Sequence, residues 1–143
     1  MLNAYVTLVL LAAAGQGSYA VPPGSDWNCE DPTSQQEMNW CAAREYEAAD
    51  QALNEQWSIV RAKMKARDAS FEKYQPDGDG RPGHFESLLE AQRAWLTYRD
   101  AHCRVDGYSV RGGSLEPMLV AQCKTSLTKA RTQELIELAN SPD

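Results

Sequence analysis

From residue 38 onward, apolar side chains recur at intervals of three, four or seven: Met38, Ala42, Tyr46, Ala49, Leu53, Trp57, Val60, Met64 and Phe71. That spacing winds a single apolar stripe along one face of an α-helix. The polar run "TSQQE" just ahead holds two overlapping start signals, Thr33 with Gln36 and Ser34 with Glu37. In each, a hydroxyl caps the helix and the residue three positions on can return the bond. The pattern predicts a first helix over about 34–73. At 1.5 Å per residue it would run roughly 60 Å, a length that invites a kink or break near Arg67.

The segment "YQPDGDGRPGH" (74–84) places two prolines and three glycines in eleven residues and ends that helix. A second helix is expected over about 84–105, with Phe85, Leu88, Leu96 and Cys103 on its stripe. "DGYSVRGGS" (106–114) reads as the next loop, with Ser114 capping a third helix over about 115–139. Pro117 is tolerated in the first turn of that helix. Val120, Cys123, Leu127 and Leu138 form its stripe. No strand-like alternation, repeat or low-complexity tract interrupts the three periodic segments. The fold class is therefore all-α, a three-helix up-down bundle with a long first helix.

Polar residues fall inside these stripes. At 100° per residue, Gln92 and Arg99 lie within about 20° of the centre of the second stripe. Arg131 and Glu134 lie within about 40° of Leu127, and Asp50 about 60° from Leu53. An unpaired buried charge costs several kcal/mol, so such groups are expected to find one another. The reading is a partly buried network in which Asp50 and Glu134 pair with Arg99 and Arg131 while Gln92 bridges. Trp95 and Arg99, four apart, can also stack.

Composition adds the setting. The first twenty residues contain no charged side chain, and their apolar run, Ala4 to Ala14, is shorter than the about 20 residues needed to span a bilayer. Ser18 and Ala20 fit the small-residue rule for cleavage, so residues 1–20 read as a signal peptide and 21–143 as the helical domain. No Cys sits at the cleavage point, so a lipid-anchored form is not expected. All four cysteines, Cys29, Cys41, Cys103 and Cys123, lie in the exported part and imply two disulfides. The helix layout favours 29–41 with 103–123 and leaves the crossed pairings open. Zinc fails on spacing, with no C-x-x-C and only His84 and His102 as further ligands. "DGDGRPG" opens like a calcium loop, but Arg81, Pro82 and Leu88 occupy three of the positions that matter, so it is a turn. No metal or cofactor is expected. The chain carries no nucleophile elbow, phosphate loop or zinc-protease motif, and a pair of acids working in a cleft is a poor fit to a small bundle. It does not read as an enzyme. The net charge of −6 and pI near 4.9 disfavour nucleic acid and anionic membranes and suit a basic partner.

Three segments, "TSQQEMNWCAAREYEAADQALN" (33–54), "AQRAWLTYRDAHC" (91–103) and "GGSLEPMLVAQCKTSLTKARTQEL" (112–135), together resemble the domain family named for the lysozyme inhibitor LprI. The family pattern falls on Cys41, Asp50, Leu53 and Asn54, then on Gln92, Arg93, Trp95, Tyr98, Arg99, Asp100 and Cys103. It continues on Cys123, Leu127, Thr128, Arg131, Glu134 and Leu135. The resemblance implies an exported helical protein. It also implies that these motif positions, Asn54 among them, form scaffold rather than an inhibitory surface. The namesake activity implies a basic lysozyme as partner, which an acidic protein would approach under electrostatic attraction. The expected contacts are then in the loops: Asp77 and Asp79 in the first, Asp106, Tyr108 and Arg111 in the second. The leading expectation is a periplasmic or secreted binding protein that inhibits lysozyme by occluding its cleft. The alternative is a non-inhibitory envelope protein that binds another exported partner.

Overall fold

The computed structural model describes residues 25–142, so the signal peptide read over 1–20 lies outside the described residues. All regular structure among the described residues is helical: α1 (Gln35–Tyr74), α2 (His84–Gly107), a single 3-10 turn (Tyr108–Val110) and α3 (Glu116–Asn140). The helices run up, down and up, so α1 and α3 are parallel and α2 is antiparallel to both. Asn39 near the start of α1 donates to the Ser114 carbonyl (2.9 Å), and Arg67 near its end bonds the Leu138 carbonyl (3.4 Å). The bonded cysteines are Cys29 with Cys41 and Cys103 with Cys123, which selects one of the three connectivities.

The core runs through Leu53, Val60 and Met64 of α1, Leu88 of α2, and Leu135 and Ala139 of α3, with Trp57, Phe85 and Trp95 half-buried against it. Helix α1 is continuous through Arg67, and no break occurs there. Both of its neighbours are anchored on that turn. Arg67 bonds the Ser141 carbonyl beyond the last turn of α3. Asp68 accepts the amides of His84 (2.6 Å) and Phe85 (2.9 Å) and contacts His84 Nδ1 (2.9 Å). A cation thus meets the C-terminal end of one helix dipole and an anion the N-terminal end of another. The N-cap of α2 is Gly83, which has no side chain to offer, and a Cβ there would approach the Asp68 carboxylate to 3.0 Å. Past Asp68, α1 continues to Tyr74, leaving Phe71 and Tyr74 exposed.

Two expectations change. Ser114 is not the cap of α3; Leu115 holds that position, and the Ser114 carbonyl is engaged by Asn39. The buried face of α3 is Thr125, Thr128, Leu135 and Ala139, about 120° around from the stripe drawn through Val120, Cys123, Leu127 and Leu138. That stripe instead flanks α2, where Cys123 bonds Cys103 and Val120 packs on Gly107. Apart from Leu135 this inner face is small or hydroxylated, and α1, against which α3 packs, likewise buries Ala42, Ala43 and Ala49. The Thr125 hydroxyl is satisfied by donating to the Ala121 carbonyl (2.9 Å).

Candidate functional site

A polar layer in the interior joins all three helices. Arg99, 5% exposed, lies at its centre. Its Nη1 donates to Asp50 of α1 (3.0 Å) and to the Thr128 hydroxyl of α3 (3.3 Å), and its Nε donates to Asp100 (3.1 Å). The guanidinium lies over the rings of Tyr46 (5.3 Å) and Trp95 (5.1 Å). Asn54 donates to Asp50 (3.2 Å), and Lys124 reaches Asp100 (3.2 Å). One turn further along, Arg131 donates to Gln92 (3.0 Å) and pairs with exposed Glu134 (2.7 Å).

The charges respond to this setting. Burial alone would raise the Asp100 carboxyl, but Arg99 and Lys124 overcome it and hold its pKa below the usual carboxylate value. Burial pushes Tyr46 up to about 12 despite the opposing pull of Arg99. No buried side-chain polar atom among the described residues lacks a partner. The sequence reading missed Tyr46, Thr128, Asp100 and Lys124 as members of this layer. The family motif had marked Thr128 and Asp100. Nothing local marked Lys124, which reaches Asp100 from another helix.

Arg99 and Thr128 are buried within this layer, while Asp50 and Asp100 reach its solvent edge. The five loop candidates divide between opposite ends of α2, whose 24 residues span about 36 Å at 1.5 Å per residue. Asp77 and Asp79 sit at one end. Asp79 is drawn to Arg81 within its own turn (Arg81 Nε at 2.6 Å, Arg81 N at 3.0 Å), which lowers its pKa. Beside that turn an open groove of about 970 Å³ runs past Phe71, Phe85, Leu88 and Leu138.

Asp106, Tyr108 and Arg111 sit at the other end. The Arg111 guanidinium stacks on the Tyr108 ring at 4.4 Å. The loop is fixed below by the Cys103–Cys123 bridge and behind by Glu116, which accepts the Gly112 amide (2.6 Å). Gly112 has φ +77°, a conformation that favours glycine. At Gly107 a Cβ would come within 2.5 Å of Val120, so only glycine lets the end of α2 lie this close to α3.

The same end carries the lead-in to α1. Ser34 caps the helix, accepting from the Glu37 amide (3.2 Å). The Glu37 carboxylate reaches further back than a simple capping box, accepting the amides of Asn28 (2.6 Å) and Thr33 (2.7 Å). Those two backbone bonds hold its pKa below the usual value. The Cys29–Cys41 bridge and the tilted Trp27–Trp40 pair (centroids 6.0 Å apart) complete the anchoring. This end is strongly acidic. Residues 26–50 contain seven carboxylates and one arginine, a balance of −6, whereas the rest of the chain has thirteen of each sign. Asp26, Glu30 and Asp31 are exposed on the lead-in.

Comparison with known proteins adds the lineage. The family model described as lysozyme inhibitor LprI matches residues 28–135, from the lead-in to the buried Leu135 of α3. The chain belongs to the LprI family. It is also 42% identical over 139 residues to an uncharacterized protein of Rhizobium meliloti (strain 1021), covering 95% of this chain and 94% of that one. No solved structure matches.

Of the positions that carry the sequence resemblance, Asp50, Gln92, Arg99, Thr128 and Arg131 bond across helices, and Asn54 and Trp95 support Asp50 and Arg99 from within their own helices. The 106–113 loop and residues 25–31 contribute few of the motif positions. Among the described residues, no group of three or more candidate ligands could hold a metal, and no helix is long and apolar enough to cross a membrane. Two disulfides suit an oxidising, extracytoplasmic compartment.

Proposed function

We propose that this protein is exported through its N-terminal 20-residue signal segment and inhibits a basic lysozyme by placing its acidic end over the enzyme's cleft. The observation that carries the reading is the extent of the family match. It spans residues 28–135, nearly the whole bundle, which supports assigning the activity for which the family is named to this helical unit. Charge supports the choice of end, since the −6 balance of residues 26–50 would attract a cationic enzyme. Rigidity supports it too: the lead-in and the 106–113 loop are each pinned by a disulfide and by a carboxylate on backbone amides, so little order has to be gained on binding. In this reading Tyr108 and Arg111 enter the cleft, Asp106, Asp26, Glu30 and Asp31 face basic residues around it, and Asp77 and Asp79 make no contact.

The test is lysis of a cell-wall suspension by c-type lysozyme with increasing oxidised protein, residues 21–143. The expected result is dose-dependent protection that is lost on reduction. Protection should weaken at least about tenfold in Tyr108→Ala and in the triple variant Asp26→Asn, Glu30→Gln, Asp31→Asn, and persist when Asp77 and Asp79 are neutralised. No protection at a large molar excess would reject the reading. Loss only with the Asp77 and Asp79 changes would move the surface to the opposite end.

A further inference from the structure

Helix α2 carries a second apolar stripe that no part of the bundle covers. Ala91, Ala94, Tyr98, Ala101 and Val105 follow one another at intervals of three and four. At 100° per residue they lie about 130° around the helix from Leu88, Gln92, Arg99 and Cys103, which face the core. Ala91 and Ala94 are exposed and Ala101 is half-exposed, while Tyr98 and Val105 are 54% and 67% exposed. No charged residue falls within that stripe. The Tyr98 ring is held in place by stacking on His102 at 5.2 Å. Three- and four-residue spacing is the pattern of a helix that packs lengthwise on another helix, and alanine permits close approach of the two backbones.

The borders of the stripe choose the partner and its direction. Glu90, Thr97 and Arg104 follow at intervals of seven along one border, acidic first, neutral in the middle, basic last. Trp95 and His102 lie along the other. When two identical helices pack antiparallel, each border meets its own copy, whereas parallel packing sets each border against the opposite one. Antiparallel packing about Thr97 places Glu90 of each chain beside Arg104 of the other and Ala94 beside Ala101 of the other. Parallel packing would leave both charges facing the Trp95 and His102 border. Neither Glu90 nor Arg104 has an ion-pair partner among the described residues.

We infer that α2 is a self-association surface, on which two copies of this chain pack as an antiparallel α2–α2 pair with reciprocal Glu90–Arg104 contacts. The two acidic ends then point in opposite directions and both stay open, so the inference stands independently of what those ends bind.

Sedimentation equilibrium of the oxidised protein, residues 21–143, over a range of concentrations at physiological salt tests it. The expected result is a reversible monomer–dimer equilibrium. Ala94→Glu should shift it to monomer with an unchanged melting curve, since that side chain touches solvent. Glu90→Arg and Arg104→Glu should each weaken dimerisation about tenfold, and the double reversal should restore it. A protein that stays monomeric, or a dimer that survives Ala94→Glu, would overturn the inference. So would a dimer that the double reversal fails to restore, because the antiparallel register requires the exchange. If the chain is monomeric and Ala94→Glu instead abolishes lysozyme protection, the face belongs to a different partner and the inference also fails.

Discussion

Arg99 brings two carboxylates, a threonine hydroxyl and two aromatic rings from three helices onto one guanidinium, and its replacement leaves all of them without it. Breaking a fully buried pair costs roughly 3–5 kcal/mol. Asp50 and Asp100 keep 31% and 52% of their side-chain exposure, so water recovers part of that loss. Arg99→Leu is therefore expected to cost about 2 kcal/mol, a fall in melting temperature of roughly 8 °C by calorimetry. Arg99→Lys should cost nearly as much, because an ammonium cannot donate in two directions and stack between Tyr46 and Trp95 as well. Glu37 makes a different prediction. The Asn28 and Thr33 amides hold its pKa in the fold below the ordinary carboxylate value, so its contribution is complete above that ordinary value and is lost as pH falls through the folded-state pKa. Glu37→Gln should lower stability at neutral pH and make the loss between pH 4.5 and lower pH shallower, as read from melting temperature against pH. Asp68 and Asp100, also lowered, keep the slope from vanishing.

Helices are where the sequence was most and least informative. Their number, order and approximate limits could be read from apolar spacing and from the proline- and glycine-rich breaks. Helix α3 shows why spacing is not enough. Its large apolar residues, Val120, Leu127 and Leu138, suggested one inward face, yet the buried face is Thr125, Thr128, Leu135 and Ala139. Three of those four are small or hydroxylated, as close helix approach favours, so a count of large apolar residues points to the wrong side. Gln92, Arg99 and Arg131 stood out because they interrupt apolar stripes. Asp68 did not, because its partner amides lie 16 and 17 residues away across a loop. Asp68 is nonetheless expected to govern how α2 begins. Asp68→Ala should cost about 1 kcal/mol, as for loss of a helix cap, and speed amide exchange at residues 84–87 while leaving the middle of α3 unchanged.

For the molecule as a whole, the two disulfides differ in access. Cys103 is fully buried, whereas Cys29 is exposed on the lead-in. Graded dithiothreitol followed by alkylation and mass mapping should open Cys29–Cys41 first and leave Cys103–Cys123 intact in the intermediate. The bridges close loops of 12 and 20 residues, each worth on the order of 3 kcal/mol in the chain-entropy model. The intermediate should keep its helical circular dichroism, because α2, α3 and the Arg99 layer lie beyond the first loop. A further consequence follows from the confinement of the net charge to residues 26–50. Asp26, Glu30 and Asp31 lie exposed together on the lead-in, and the proposed cationic partner would be drawn to them first. In the proposed complex the lead-in and the 106–113 loop would then meet the partner first. Added salt should slow that arrival while leaving the lifetime of the finished complex nearly untouched.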